Sequence, residues 1–299
     1  MKRLDKIVTE MHPGLGRARA KELCLEGEVL VRGKAREPGF LVKDPESVQI
    51  LSLPEEVKLR PELVQRAGGA ESFLEIVFED EELLVVEKPR LMHSLRQKVE
   101  DEICLADCLA AYNSELAAVS ENPLEAGLVN RLDFYTAGLI VAAKTKSSWG
   151  VLHKQFTRGQ TAKTYLALVE GQAEEGLIDL PIELSKGKKK VKVGVKGEGL
   201  GGEAETEIIS AKPFKNFSTI EARANHLHRH QIRAHLSGIG HPLVGDELYG
   251  SQQQLPEGLR LDSEKLIREG FFLYCKELSL QHPETKKTLK FSSIKELVA

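Results

Sequence analysis

Apolar residues along this chain come in short blocks whose spacing shifts between helical and alternating, and those shifts mark out the elements. At the start, Leu4, Ile7 and Val8, with Arg3 beside them, fall at helical spacing and begin an amphipathic turn. Pro13-Gly14-Leu15-Gly16 interrupts it. A basic helix from Arg17 to Glu26 follows, closed by Gly27, which suits the left-handed conformation of a helix end. Val29-Leu30-Val31 and Phe40-Leu41-Val42 read as strands around a turn at Arg32-Gly33-Lys34. Residues 53–72 mix prolines, glycines and charges and read as a linker.

Beyond that point strand patterns dominate. Leu74–Phe78 and Leu83–Val86 flank an acidic turn at Glu79–Glu82, and Leu139–Ala143 is apolar throughout, as a buried strand would be. Ser147 is the expected cap of a helix that carries Trp149, Leu152 and Phe156 on one face. Thr161–Val169 alternates as a strand, and residues 175–225 read as hairpins with a loose tip from Gly197 to Gly202. The pattern predicts an α+β fold: a mixed, largely antiparallel sheet with flanking helices, preceded by a small α+β N-terminal domain. The predicted boundaries are 1–52, a linker at 53–72, and 73–299.

Composition narrows the class. Hydrophobic content of 41% and charged content of 29% over 299 residues supply a sizeable core and a solvated surface. The four cysteines, Cys24, Cys104, Cys108 and Cys275, do not form a disulfide framework pattern. Cys104 and Cys108 share a helix face, but without a second pair they read as small buried side chains rather than half a zinc site. No signal-peptide run or membrane-span length of apolar residues is visible, so a cytoplasmic protein without a membrane partner is expected. A net charge of −3 does not advertise a polyanion partner. Charge interactions are screened within about 8–10 Å at physiological salt, however, so a phosphate-binding surface can be local.

Two separated stretches carry the chemistry. Asn130–Lys144, NRLDFYTAGLIVAAK, places an arginine and an aspartate in a polar loop that runs into an apolar strand. Leu227–Gly250, LHRHQIRAHLSGIGHPLVGDELYG, reads as a strand end, a short helix carrying Arg233, and a loop ending in Asp246 and Tyr249. In this order, with Lys163-Thr164-Tyr165 between them, the segments resemble the RluA-type family of RNA pseudouridine synthases. The resemblance runs from about Phe73 to the C-terminus, and Lys88-Pro89 belongs to it.

That resemblance implies an enzyme that isomerises specific uridines in RNA to pseudouridine, with no metal and no cofactor. It assigns Asp133, in R-L-D, as the catalytic carboxylate, ionised at neutral pH and able to add to an activated carbon. Arg233, in HQIR, matches the basic partner of that aspartate; an opposite charge within about 4–6 Å keeps a carboxylate ionised. Tyr165 matches the aromatic that stacks on the target base and assists proton transfer. Arg131 matches the arginine that fills the gap left by the extruded base, a task suited to a planar guanidinium. The segment GRARAKELCLEGEVLVRGK resembles the alpha-L RNA-binding domain named after a small-subunit ribosomal protein. Arg17, Arg19, Lys21, Arg32 and Lys34 match its RNA-facing positions; a solvated basic helix is the plain alternative. Lys186, Lys188, Lys189, Lys190, Lys192 and Lys196 form a cluster able to track a phosphate backbone, with Lys189 taken as an RNA contact.

The match departs in places. Asn130 and Ala137 replace the usual histidine and serine, and Leu227-His228-Arg229 replaces a usual G-R-T. His226, His228 and His230 would share one face of a continuous strand and could bind zinc, although the strand is expected to end before His230. The expected substrate is structured RNA, large-subunit ribosomal RNA ahead of transfer RNA because of the N-terminal module. A monomer with no obligate protein partner is expected. The rival readings are a non-catalytic RNA-binding or ribosome-assembly protein that keeps the fold, and a metal-dependent RNA hydrolase built on the histidines.

Overall fold

The computed structural model describes residues 1–12, 16–51, 57–183, 190–194, 202–225, 228–261, 265–266, 269–293, 295 and 297–298. They form two compact units, Met1–Lys58 with Gln97–Glu100, and Leu59–Arg96 with Asp101–Ala299.

In the first unit a short strand β1 (Lys2–Arg3) leads directly into α1 (Leu4–Met11), and α2 (Arg17–Leu25) follows. Strands β2 (Val29–Val31), β3 (Lys34–Ala35), β4 (Leu41–Val42) and β5 (Val48–Ile50) complete it. Leu4, Ile7 and Val8 of α1 share one buried cluster with Ala20, Leu23, Val29 and Val48. The strand partners differ from expectation. Arg32 and Gly33 both take positive φ, 51° and 76°, the two-residue hairpin turn that returns the chain at once. Lys34 is therefore already paired with Val31, and β5 takes the other edge of β2. Leu41–Val42 pairs instead with Lys2–Arg3.

The second unit begins earlier than the expected domain. Residues 61–66 of the expected linker form α3 (Pro61–Arg66), with Val64 fully buried. Proline opens a helix as readily as it breaks one, because the first-turn N–H has no partner in any case. The rest of the unit comprises β6 (Glu75–Glu79), β7 (Leu83–Lys88), α4 (Leu105–Tyr112), β8 (Thr136–Ala143), α5 (Lys146–Thr157), β9 (Ala162–Glu170), β10 (Gly176–Asp179), β11 (Ile182–Glu183), β12 (Lys192–Val193), β13 (Glu205–Phe214) and β14 (Phe217–Ala224). After these come α6 (Gln231–Gly238), β15 (Arg260–Leu261), β16 (Lys265–Leu266), β17 (Leu273–Gln281), β18 (Thr288–Ser292) and β19 (Leu297–Val298). Nine of these strands make one sheet in the order β10-β13-β14-β9-β17-β8-β7-β6, with β18 also on β17. Every pairing is antiparallel except β17 with β8, so the fold is α+β with a mixed, largely antiparallel sheet.

The centre of this sheet is covered on both sides, which explains the unbroken apolar run of β8: all eight of its residues are buried. One face packs on α4 and α5 through Cys104, Leu105, Cys108, Leu109, Trp149 and Leu152. The other face carries Ala137, Leu168, Phe272 and Tyr274. Cys104 and Cys108 are core side chains, and burial pushes both thiols up to about 12. Gly138 has φ 106°, and a Cβ there would stand 2.3 Å from the carbonyl oxygen of Cys275. Only glycine lets β17 come this close, and that approach sets the parallel register next to the Asp133 loop.

Helix α5 starts two residues earlier than predicted. Thr145, not Ser147, is the cap: its hydroxyl accepts from Ser148 N at 3.1 Å, and the Ser148 hydroxyl accepts from Thr145 N at 3.2 Å. The hairpin β13–β14 matches the predicted hairpin region. Lys186, Lys188, Lys189, Lys196 and residues 197–201 of the predicted tip lie outside the described residues, as do His226 and Leu227.

Candidate active site

Asp133 lies in the loop that enters β8, where the carbonyl of Asp133 accepts from Thr136 N at 3.0 Å. The residue before it is clamped by a side chain from another loop. The Ser94 hydroxyl donates to the Leu132 carbonyl at 2.8 Å and accepts from Leu132 N at 3.0 Å. On the far side, Phe134 packs against His93, with ring centroids 4.7 Å apart. The segment 93–94 is itself anchored, because its carbonyls accept from Leu105 N and Ala106 N at the head of α4. The result is a fixed backbone bearing a carboxylate that remains 31% exposed.

Arg233 meets that carboxylate from α6. Its Nη1 donates to Asp133 Oδ2 at 2.8 Å. Its Nε and Nη2 form a fork on Asp246, at 2.7 and 2.9 Å from the two carboxylate oxygens. Asp246 is 2% exposed and Arg233 6%, so the pair is nearly dry and its geometry is stiff. The guanidinium also lies over the rings of Phe271 and Tyr249, at 4.4 and 4.9 Å. Burial alone would lower the Arg233 pKa; the hydrogen bonds and charge of Asp246, and then Asp133, outweigh it and raise the pKa. Arg233 is thus a permanent cation with one free edge, and the free edge is spent on Asp133.

His230 opens α6 with φ 57°. Its Nε2 is 3.6 Å from Asp133 Oδ1, and its Nδ1 is 3.1 Å from the Tyr249 hydroxyl. Strand β14 ends at Ala224, so His228 and His230 lie beyond it and do not share a strand face as the zinc reading would require. His228 points elsewhere, its Nε2 lying 3.1 Å from the Glu203 carbonyl. Among the described residues no cluster of three or more potential metal ligands occurs.

Tyr165 sits on the central strand β9, opposite Cys275 on β17. It is 3% exposed. Burial first, then the neighbouring Cys275 thiol and the charge of Asp133, raise its pKa well above the ordinary phenol value. Near neutral pH it is a neutral phenol, able to donate a hydrogen bond. Lys88, at the end of β7, is fully buried and donates to the Pro89 and Met92 carbonyls at 2.8 and 2.7 Å. Burial pushes it down to about 7 against the pull of Asp133.

The structure therefore brings Asp133, Arg233 and Tyr165 into one neighbourhood, with Arg131 exposed on the same loop. Ser94, Asp246, His230 and Tyr249 also build the site; the sequence assigned no role to Ser94, Asp246 or Tyr249, and offered His230 only as a candidate zinc ligand. Asp246 and Tyr249 stood in the quoted motif, but an aspartate among glycines reads as a turn former until its partner is known. In the first unit, Arg17 is committed to the buried Asp5 at 3.4 Å, and Arg19 to Glu22 and Glu26 at 3.0 Å each. Lys21, Arg32 and Lys34 are exposed. Lys190 and Lys192 are described, and Lys190 lies over the Tyr249 ring at 5.0 Å.

Residues 82–238 match the family model described as RNA pseudouridylate synthase. The ribosomal large subunit pseudouridine synthase D of Zymomonas mobilis subsp. mobilis is 31% identical over 295 residues, covering 97% of this chain and 89% of that protein. The protein of the same name from Escherichia coli O6:H1 is 32% identical, covering 94% and 83%. The solved structure of human RNA Pseudouridylate Synthase Domain Containing 1 shares the fold, with a TM-score of 0.54 at 20% identity over 76% of this chain and 84% of that one. No helix among the described residues is long and apolar enough to cross a membrane. With a family model over half its length and relatives that match nearly all of it, the chain belongs to the RNA pseudouridylate synthase family and is an RNA pseudouridine synthase.

Proposed function

We propose that the protein converts one or more uridines of large-subunit ribosomal RNA to pseudouridine in the cytoplasm, with Asp133 as the reacting carboxylate. The observation that supports this reading best is the relay Asp246–Arg233–Asp133. A buried fork fixes the guanidinium, and its remaining N–H holds an otherwise accessible carboxylate at 2.8 Å. One carboxylate of the relay is buried and the other stays accessible, as a group that must meet a substrate has to be. The names of the near-full-length relatives, ribosomal large subunit pseudouridine synthase D, favour ribosomal over transfer RNA.

The reaction is an isomerisation. The bond from the ribose C1′ to uracil N1 breaks, the base turns, C1′ bonds to C5, and a proton leaves C5 while N1 gains one. Asp133 would stabilise or capture the activated carbon, and Arg233 would keep it ionised and aimed. The neutral phenol of Tyr165 would cover the base and donate a hydrogen bond to it, keeping its proton throughout. Arg131, exposed beside Asp133, would stack where the base has left. The first unit would add phosphate contacts through Lys21, Arg32 and Lys34, with Arg17 and Arg19 contributing only by loosening their present ion pairs.

Pseudouridine mapping in total RNA from cells with and without the gene tests the substrate. Asp133→Asn tests the site: turnover should vanish while RNA affinity stays within about tenfold, roughly 1.4 kcal/mol. Near wild-type turnover in that variant would remove Asp133 from the mechanism, and a pseudouridine lost from transfer RNA alone would replace the ribosomal reading.

A further inference from the structure

Arg233 occupies only one oxygen of Asp133. The other faces His230 Nε2 at 3.6 Å, longer than a hydrogen bond in the protein without RNA. Contacts of this kind often tighten when substrate binds. Which nitrogen of His230 carries its proton is decided by Tyr249. The Tyr249 hydroxyl accepts from Val191 N at 3.0 Å, and a backbone N–H can only donate. The ring of Tyr249 is flanked by Lys190 and Arg233, two cations that offer no acceptor. Among the described residues the one acceptor facing this hydroxyl is His230 Nδ1, at 3.1 Å, and Tyr249 is 3% exposed. The hydroxyl proton therefore points to Nδ1, and in a neutral imidazole the ring proton is left on Nε2.

We propose that the Tyr249 hydroxyl locks His230 in the tautomer that presents Nε2–H to Asp133, making His230 a second positioning residue for the catalytic carboxylate. The inference rests on Asp133 having that role. The groups around the ring are Asp133, Asp246 and Tyr249, with Arg233 on α6 and Arg229 just before it. Burial is the main influence and lowers the His230 pKa; the two arginines add to it, and Asp133 and Asp246 oppose. His230 thus acts as a neutral donor. A neutral donor orients Oδ1 without adding a second full positive charge, which would tie up the lone pairs the carboxylate needs for reaction. The left-handed backbone of His230, which side chains rarely adopt, is consistent with a residue held for placement.

Nitrogen NMR on the labelled full-length chain reads the tautomer directly. The expected result near neutral pH is a protonated Nε2 and an unprotonated Nδ1. In Tyr249→Phe, which lacks the hydroxyl, both tautomers should appear. His230→Gln keeps an N–H donor and should hold kcat within about threefold, whereas His230→Leu should lower kcat about tenfold or more with KM nearly unchanged, the scale of one charge-assisted hydrogen bond. A protonated Nδ1 in the wild-type protein, an unchanged single tautomer in Tyr249→Phe, or wild-type kcat in His230→Leu would each overturn the proposal. Should Tyr249→Phe fail to fold, the wild-type spectrum and the two His230 variants decide alone. Active Asp133→Asn would instead defeat the catalytic reading, whatever tautomer the spectrum shows.

Discussion

Removing Asp246 strikes the site without touching the residue that reacts. The Asp246→Ala variant leaves a guanidinium that is 6% exposed with its Nε and Nη2 donors unpaired. Breaking a buried ion pair from one side costs about 3–5 kcal/mol. Arg233 keeps Asp133 as a partner, and Asp133 is 31% exposed, so the lower end, about 3 kcal/mol, is expected. For a domain of this size each kcal/mol lowers Tm by about 2–4 °C, which gives a drop of about 6–12 °C. Asp246→Asn keeps the shape but replaces one acceptor with an N–H that faces another N–H, and it should lose about 2 kcal/mol. Activity should suffer in a particular way. The Arg233–Asp133 hydrogen bond survives but is no longer aimed, so kcat should fall about ten- to a hundredfold while KM for RNA changes little. Urea titration and single-turnover pseudouridine formation measure the two effects. A double-mutant cycle with Asp133→Asn should show a coupling of about 1 kcal/mol or more, because both carboxylates act on one guanidinium. An Asp246→Asn protein with unchanged midpoint and unchanged kcat would refute the relay.

Three further outcomes follow from the same structure. Ser94→Ala removes both hydrogen bonds on the Leu132 backbone; it should cost about 1–3 kcal/mol and lower kcat more than it raises KM, and a wild-type kcat would show that the clamp does not position Asp133. Lys88 sits at about 7 in the fold against 10.5 ordinarily, so the unfolded chain binds more protons between those values. Its penalty is absent above the unfolded pKa and grows as pH falls toward 7, so stability from this group rises with pH. Lys88→Met should flatten the rise in unfolding free energy above pH 7 by up to about 1.4 kcal/mol per pH unit, and identical slopes in urea titrations at two alkaline pH values would disprove the shift. Removal of residues 1–58 should weaken RNA binding more than it slows the bound reaction, and the salt dependence should flatten by roughly one unit for each phosphate the first unit neutralises; unchanged affinity and slope would remove RNA binding from that unit.

Much of this was legible in the residues. The family resemblance carried by R-L-D and HQIR implied that Asp133 and Arg233 pair, and the apolar run Leu139–Ala143 announced a buried strand. Strands β7, β8 and β9 lay close to where alternation and burial put them, because a strand's pattern is local. Errors arose wherever two local readings were equally good. Pro61 and its neighbours suit a linker or a helix start, and burial of Val64 decided for the helix. Ser147 and Thr145 can both cap, and hydrogen bonding chose Thr145. Val29–Val31 needed a partner, and the two left-handed residues Arg32 and Gly33 chose Lys34 over Leu41.

What tertiary structure alone decided was the work of the polar residues. Asp246 is a turn aspartate until α6 carries Arg233 onto it, and Ser94 is an ordinary loop serine until Leu132 arrives beside it from another loop. Tyr165 kept its expected neighbourhood, but its ionisation is set by burial against Cys275, a residue over a hundred positions away on β17. Periodicity records which side of an element faces the core, and it does so within a few turns of chain. A hydrogen bond or an ion pair between distant segments leaves no period. Its strength depends on distance and on the water excluded around it, and both are set only when the sheet closes.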